Sequence, residues 1–536
     1  MFETKKKIRQ RLIESFCNVK NDSFHFESIE RYFRKKDQTD AFQVLSDKTC
    51  NDLDFNELFM FVDRTTSKVG QQFLYYTLRT IPSNGDKLFE QEKLIEQITK
   101  DSNLRLKIQI QLDKLTSDSA YFITSLFQDE HIKKPKWFIA IPLLSFTSLL
   151  SILLLPFTPQ FFFVLLGVII INMAIHYWNK QNLYEYLGSI PQLLKLNEVA
   201  KELLKYDILI NISTDLSESI KIIDKVKNRM SLFKMEAKLQ SEIGIAFWSL
   251  LELIKALFLL EPLLLFGVLR QLDAKRKEIE KVFSFVGYID SLVSIASLRR
   301  GLNLFCLPEI KQKSKILEAT GMYHPLIVDC IPNSIKVADK SILLTGSNMS
   351  GKTSFIRTIG LNVITGLTIN TCFSKQFCMS RFKIFSAIRI SDNLMNDKSY
   401  YFEEVLTIKE MIEKSQMPES NIFLLDEIFK GTNTIERISA GKAVLSYLNN
   451  KSNIVFVSTH DIELADLLKD TYDLYHFSEQ VEAQTVDFDF KLKKGKLKNR
   501  NAIKILEIND YPEQIITEAI ELSKELDKIY VVIKRG

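Results

Sequence analysis

The sequence predicts an α + α/β chain, and three observations carry that reading. Residues 1–132 and 179–305 are poor in glycine and place apolar residues three and four apart between charges, the period of amphipathic helices. Residues 137–178 contain no Asp, Glu, Lys or Arg. From about Cys306 the texture becomes short β-rich runs alternating with helices, as in α/β nucleotide-binding domains. The expected organisation is a helical N-terminal region (1–132), an apolar hairpin (137–178), a second helical region (179–305), an α/β domain (306–510) and a helical tail (511–536).

With 536 residues the chain has room for several cores. Its net charge of +5 neither demands nor excludes a nucleic-acid partner. The six cysteines form no C-x-x-C pair, which favours free thiols in a reducing compartment over zinc or disulfides. Five basic residues within Met1–Arg11 precede no apolar run, so a secretory signal is not expected.

In the first helical region, Asp63-Arg64-Thr65-Thr66-Ser67 breaks the pattern, and Ser67 or Thr66 is placed to cap a helix running to Arg79. The uncharged stretch splits at Pro156-Phe157-Thr158-Pro159-Gln160 into two apolar runs of 18 to 19 residues, each near the length that crosses a bilayer. Lys133, Lys134 and Lys136 precede the first run and Lys180 follows the second, while the turn is uncharged. By the positive-inside rule this is a membrane protein whose N- and C-terminal domains both face the cytoplasm. Trp137, Tyr177 and Trp178 fall at the aromatic-belt level. The alternative is a buried hairpin in a soluble core. Residues 243–269 are very apolar but hold Glu252, Lys255 and Glu261, and read as a core helix pair broken at Pro262, not a third span. The charged run 273–281 reads as a solvated helix face. Expected strands are 341–345, 382–390, 422–426, 454–458, 472–478 and 485–492.

The chemistry centres on Gly346-Ser347-Asn348-Met349-Ser350-Gly351-Lys352-Thr353, the G-x-x-x-x-G-K-[ST] pattern of a phosphate-binding loop (P-loop), placed between a buried strand and a helix. Loop N–H groups and the helix N-terminus can face phosphate oxygens. Lys352 is expected to reach the β- and γ-phosphates, and the Thr353 hydroxyl to take a place on Mg²⁺. About 75 residues later Ile422-Phe423-Leu424-Leu425 runs into Asp426-Glu427, a central strand delivering carboxylates to its C-terminal edge. Asp426 then holds Mg²⁺ opposite Thr353, and Glu427 orients and deprotonates the attacking water. A third strand ends in Ser458-Thr459-His460, with His460 placed to sense the γ-phosphate.

Together these residues resemble the MutS family of DNA mismatch repair ATPases. The family loop T-G-P-N-M-(S/G)-G-K-(S/T) differs here chiefly in Ser347 for proline, and its L-L-D-E-I-G-R-G-T is matched by Leu424–Thr432 with Phe429-Lys430 substituted. Thr459-His460 matches a family T-H. Tyr323-His324-Pro325 resembles its R-H-P, and Phe490-Lys491-Leu492-Lys493-Lys494-Gly495 its Y-K-L-x-x-G strand. Asp397–Glu404 resembles G-x-S-x-F-x-x-E, which implies that Ser399 reaches the nucleotide of an opposite subunit and that sites form in a homodimer. Thr65 to Arg79 is similar to the opening of the family's helical lever region.

The resemblance implies a helical core/lever domain with an inserted two-helix transmembrane hairpin, followed by an ABC-type P-loop α/β ATPase domain, with ATP and Mg²⁺ as cofactors. It implies a membrane-anchored dimeric clamp on mismatched or branched DNA. Ser23-Phe24-His25-Phe26-Glu27 holds no Phe-x-Glu wedge, and no room is expected before Asp63 for the family's mismatch-reading domains, so DNA would be held by shape and phosphate contacts. A second reading is an ATP-driven membrane switch acting on a protein partner without DNA. An ABC transporter is disfavoured, since no L-S-G-G-Q segment is present.

Overall fold

The computed structural model describes residues 4–131, 136–210, 212, 215–225, 245–311, 315–347, 349–389, 400–481, 486–497 and 502–533. The chain divides into two compact units: Met1–Asp40, Val62–Arg79 and Asp86–Leu302 form one, and Ala41–Phe61, Thr80–Gly85 and Asn303–Gly536 the other.

The first unit is helical. Helix α1 (Lys68–Arg79) starts where the sequence places a cap: the Ser67 hydroxyl accepts the Gly70 N–H at 2.9 Å. Behind the cap, fully buried Asp290 accepts the N–H groups of Thr66 and Ser67 and the Ser67 hydroxyl. Burial drives its carboxyl up to about 6 against the pull of these hydrogen bonds. Gly70 is required by this packing, since a Cβ there would stand 2.1 Å from the Asp290 carboxylate.

The apolar stretch forms α2 (Ala140–Leu154), a turn, and α3 (Phe161–Leu203). The second apolar run ends at Trp178 as expected, but its helix does not: α3 runs on to Leu203, 43 residues in all. Between Gly167 and Gly188 nothing interrupts it, and its later half buries Ile190, Leu193, Leu196 and Val199. Among the described residues, three helices are long and apolar enough to cross a membrane by length and composition: Lys136–Leu154, Phe161–Trp178 and Arg276–Gly301. The third, α6 below, is 83% buried and is a core helix, whereas the first two are 22% and 11% buried. Helices α4 (Ile245–Phe258) and α5 (Leu260–Asp273) follow. They break at Leu259, which adopts a left-handed φ of 47°, not at Pro262. Pro262 lies in the first turn of α5, where a missing N–H breaks no intrahelical bond. The charged run 273–281 is not one helix face; it straddles the junction between α5 and α6 (Arg276–Gly301).

The second unit is built on a six-stranded sheet. In chain order its strands are β1 (Ser341–Thr345), β2 (Lys383–Ala387), β3 (Asn421–Asp426), β4 (Ile454–Ser458), β5 (Tyr472–His476) and β6 (Lys493–Lys494), arranged 6-5-1-4-3-2. All pairings are parallel except β5 with β6. The expected strand 485–492 is instead divided: Val486–Phe488 pairs with Glu479–Val481, and the chain reaches the main sheet only at Lys493. β1, β3 and β4 are continuous apolar runs because both faces are covered. Leu343, Phe423, Leu425, Val455 and Val457 pack on one face with Ile408, Leu445 and Leu468. Helix α7 (Lys352–Ile369) leaves the C-terminal end of β1, and α8 (Tyr400–Ser415) and α9 (Thr434–Leu448) flank β3 in sequence.

Residues 41–61 and 80–85, which read as part of a helical N-terminus, include a strand pair, Ala41–Val44 with Thr80–Pro82. The Gln43 side chain bonds both backbone groups of Ile384, and Asp52 accepts from Ser386, Ile388 and Arg389 at the end of β2.

Candidate nucleotide site

β1 ends at the phosphate loop in the middle of the sheet. Gly346 has φ 153° and Gly351 φ 103°; a Cβ on Gly346 would meet the Phe477 carbonyl oxygen at 2.8 Å. The glycines thus let the chain turn against the β5 end and enter α7 at Lys352. The Lys352 ammonium donates to the carbonyls of Gly346 (2.9 Å) and Ser347 (2.8 Å), and burial lowers its pKa. Ser350 is buried and donates to the Ser347 carbonyl, while the Met349 side chain is 83% exposed.

Parallel pairing of β1, β4 and β3 brings the three strand ends together. Thr353 donates its hydroxyl to Asp426 at 2.7 Å, and Ser458 donates to the other carboxylate oxygen. Hydroxyl and carboxylate oxygens are the hard donors that Mg²⁺ takes alongside phosphate oxygens and water, so Thr353 and Asp426 fit that ion. Glu427 adopts φ 51° and donates its N–H to the Ser458 carbonyl, which turns its side chain out of the strand. Its carboxylate meets His460 Nε2 at 2.5 Å and Lys430 Nζ at 2.5 Å. Burial alone would raise the Glu427 carboxyl, but the hydrogen bonds and charges of His460 and Lys430 prevail and hold it down at about 2.

Lys352, Thr353, Asp426, Glu427 and His460 are therefore brought into one neighbourhood, with Gly346, Ser347, Met349, Ser350 and Gly351 forming the loop beside them. Asn348 and Ser399 lie outside the described residues. Several partners are not legible as motifs. Arg437 pairs Asp461 through two bonds (2.9 and 2.7 Å) and anchors the chain next to His460. Glu404 accepts the Phe429 N–H. A cavity of about 330 Å³ beside the loop is lined by Tyr323, His324, Ile327, Val328 and Phe490 as well as Lys352 and Thr353. Its apolar and aromatic wall suits a flat base. Burial lowers His324 to about 4, so its imidazole is neutral near pH 7.

Residues 342–527 match MutS domain V. The chain is also similar to the DNA mismatch repair protein MutS of Aquifex pyrophilus, 26% identical over 266 residues that cover 47% of this chain and 30% of that protein. With the protein of that name from Petrotoga mobilis it shares 30% identity over 279 residues, 48% of this chain and 33% of the relative. Residues 342–527 thus carry domain V of the MutS family. It spans about a third of the length of the curated relatives it matches.

Against the MutS patterns, this chain's departures have structural consequences. Ser347, standing at the family proline, donates to buried Glu479 at 2.5 Å and ties the loop to the strand after β5. Phe429, standing at the family glycine, still adopts φ 61°. Its ring is buried near Tyr401 and its N–H is held by Glu404, interactions that offset the strain of a side chain in that region. Lys430, standing at the family arginine, supplies one of the two nitrogen partners of Glu427. Among the R-H-P-like residues, Tyr323 and His324 line the cavity.

Proposed function

We propose that this MutS family chain is a Mg²⁺-dependent ATPase. Its ATP cycle drives a homodimer, anchored in a membrane through residues 137–178, to clamp mismatched or branched DNA. The observation that carries the ATPase reading is the Thr353–Asp426 contact at the mouth of the phosphate loop, with Glu427 beside it.

In this reading the loop N–H groups and Lys352 hold the β- and γ-phosphates, and the Tyr323–His324–Phe490 wall holds the base. Thr353 and Asp426 would hold Mg²⁺, which would supply positive charge beside the phosphates. Glu427 aims the attacking water. A carboxylate held near 2 is ionised at every working pH but takes up a proton poorly. Release of Lys430 or His460 from Glu427 is therefore what makes it an effective base. His460, fixed through Asp461 and Arg437, is placed to exchange the carboxylate for the γ-phosphate.

The DNA part rests on family membership, and the membrane part on the length and outward-facing apolar surface of the hairpin helices. The hairpin, together with a net charge too modest to demand nucleic acid, supports a second reading, an ATP-driven membrane switch with a protein partner. Titrating the detergent-solubilised protein with branched and mismatched DNA, with and without ATP and across salt, separates the two. A clamp that contacts phosphates gives ATP-dependent binding that weakens steeply with salt. No binding even at low salt removes the DNA reading and leaves the switch.

A further inference from the structure

We propose that α4 and α5 are a re-entrant helix pair, inserted in the same leaflet as the Trp137/Trp178 end of the hairpin and resting in lipid. This inference builds on the membrane reading of residues 137–178.

Helix α4 packs against both α2 and α3. The tip of the pair is fixed by a polar contact inside the apolar hairpin. Asn172 on α3, fully buried, donates to the Leu257 carbonyl at 2.7 Å and contacts Ser148 on α2 at 3.1 Å. Leu257 is two residues before the left-handed break at Leu259, where a helix end leaves carbonyls without intrahelical donors. Such backbone is tolerated at membrane depth only where protein satisfies it, and Asn172 does so.

The level follows from helix geometry. Trp137 and Trp178 meet edge to face, with ring centroids 5.2 Å apart, and mark one end of the hairpin. Asn172 lies six residues from Trp178, about 9 Å along α3, so the tip reaches about 9 Å past the tryptophans. The charges that argue against a span are held nearer the surface. Lys255 lies between Glu252 (2.9 Å) and Glu261 (3.1 Å), and His176 Nε2 is 3.4 Å from Glu252. His176 is two residues from Trp178, about 3 Å, which puts this cluster of paired charges at the interface, where charge is tolerated. Around the tip Leu253, Ile254 and Leu260 are 61%, 40% and 40% exposed. On the hairpin helices against which α4 packs, Leu143, Phe146 and Ile170 are exposed as well. Exposed large apolar side chains on all of these packed helices point to lipid as the occupant.

The test uses the full chain in phosphatidylcholine–phosphatidylglycerol vesicles, an apolar bilayer-restricted diazirine, and peptide mapping by mass spectrometry. Residues 253–260 should label within about threefold of residues 161–170. Ile13 and Val19, each 52% exposed on the same helical unit but outside the hairpin, should stay at background. Labelled 161–170 with background at 253–260 overturns the re-entrant pair alone. Background at both overturns the hairpin reading and this inference with it. Asn172→Leu should lower labelling at 253–260 at least threefold while leaving 161–170 unchanged; equal labelling refutes the tether.

Discussion

Replacing Glu427 by Gln keeps the shape of the side chain and removes its charge, so the effect isolates what the carboxylate does. In the structure that charge faces Lys430 and His460, each at 2.5 Å, and also acts on the Lys352 ammonium. The loop, Thr353 and Asp426 are untouched, so nucleotide affinity should be retained or become tighter, because one negative charge beside the triphosphate is gone. Hydrolysis should fall by about 10²- to 10⁴-fold, the usual contribution of a positioned base, or about 3 to 5 kcal/mol in barrier height. The assay pairs equilibrium binding of a fluorescent ATP analogue with single-turnover hydrolysis of radiolabelled ATP, which keeps product release out of the rate. Turnover within tenfold of wild type at saturating nucleotide would refute the assignment. Loss of both binding and turnover would instead mean that Glu427 supports the loop's structure.

Lys352→Ala should abolish nucleotide binding in the same binding assay, and wild-type turnover by that variant would overturn the site. Gly70→Ala should destabilise the helical unit by about 1 to 3 kcal/mol, since its Cβ would collide with Asp290. Gly267→Ala, with nothing within 4 Å, should be neutral or slightly stabilising; thermal midpoints in detergent compare the two. Asp290 is raised to about 6 from an ordinary 3.8, so its contribution is fully present below about 3.8 and is lost as pH rises through 6. Between pH 4 and 7 the wild type should therefore lose stability relative to Asp290→Asn by on the order of 3 kcal/mol, read from denaturant midpoints at the two pH values.

The phosphate loop, the acidic strand end and Thr459-His460 were legible because each is a short contiguous pattern, and their convergence follows once parallel strands place three C-terminal ends side by side. The mixed helical and α/β class was legible from periodicity. The continuation of α3 past Trp178 was obscured because a change from uniformly apolar to amphipathic composition resembles an element boundary, though the backbone sees no breaker there. The strand pair Ala41–Val44 with Thr80–Pro82 was missed because each segment is only a few residues long and its partner lies almost forty residues away.

By itself, then, the sequence determined the chemistry that local pattern encodes: glycines where φ must be positive, a lysine and hydroxyl after them, and carboxylates at the end of an apolar run. Only the tertiary structure decided what surrounds that chemistry. The clamp on Glu427, the Arg437–Asp461 anchor, the cavity wall from Tyr323 to Phe490 and the Asn172–Leu257 contact all join residues remote or unpatterned in the chain. Their proximity is set by strand order and helix crossing, which no short stretch of sequence specifies.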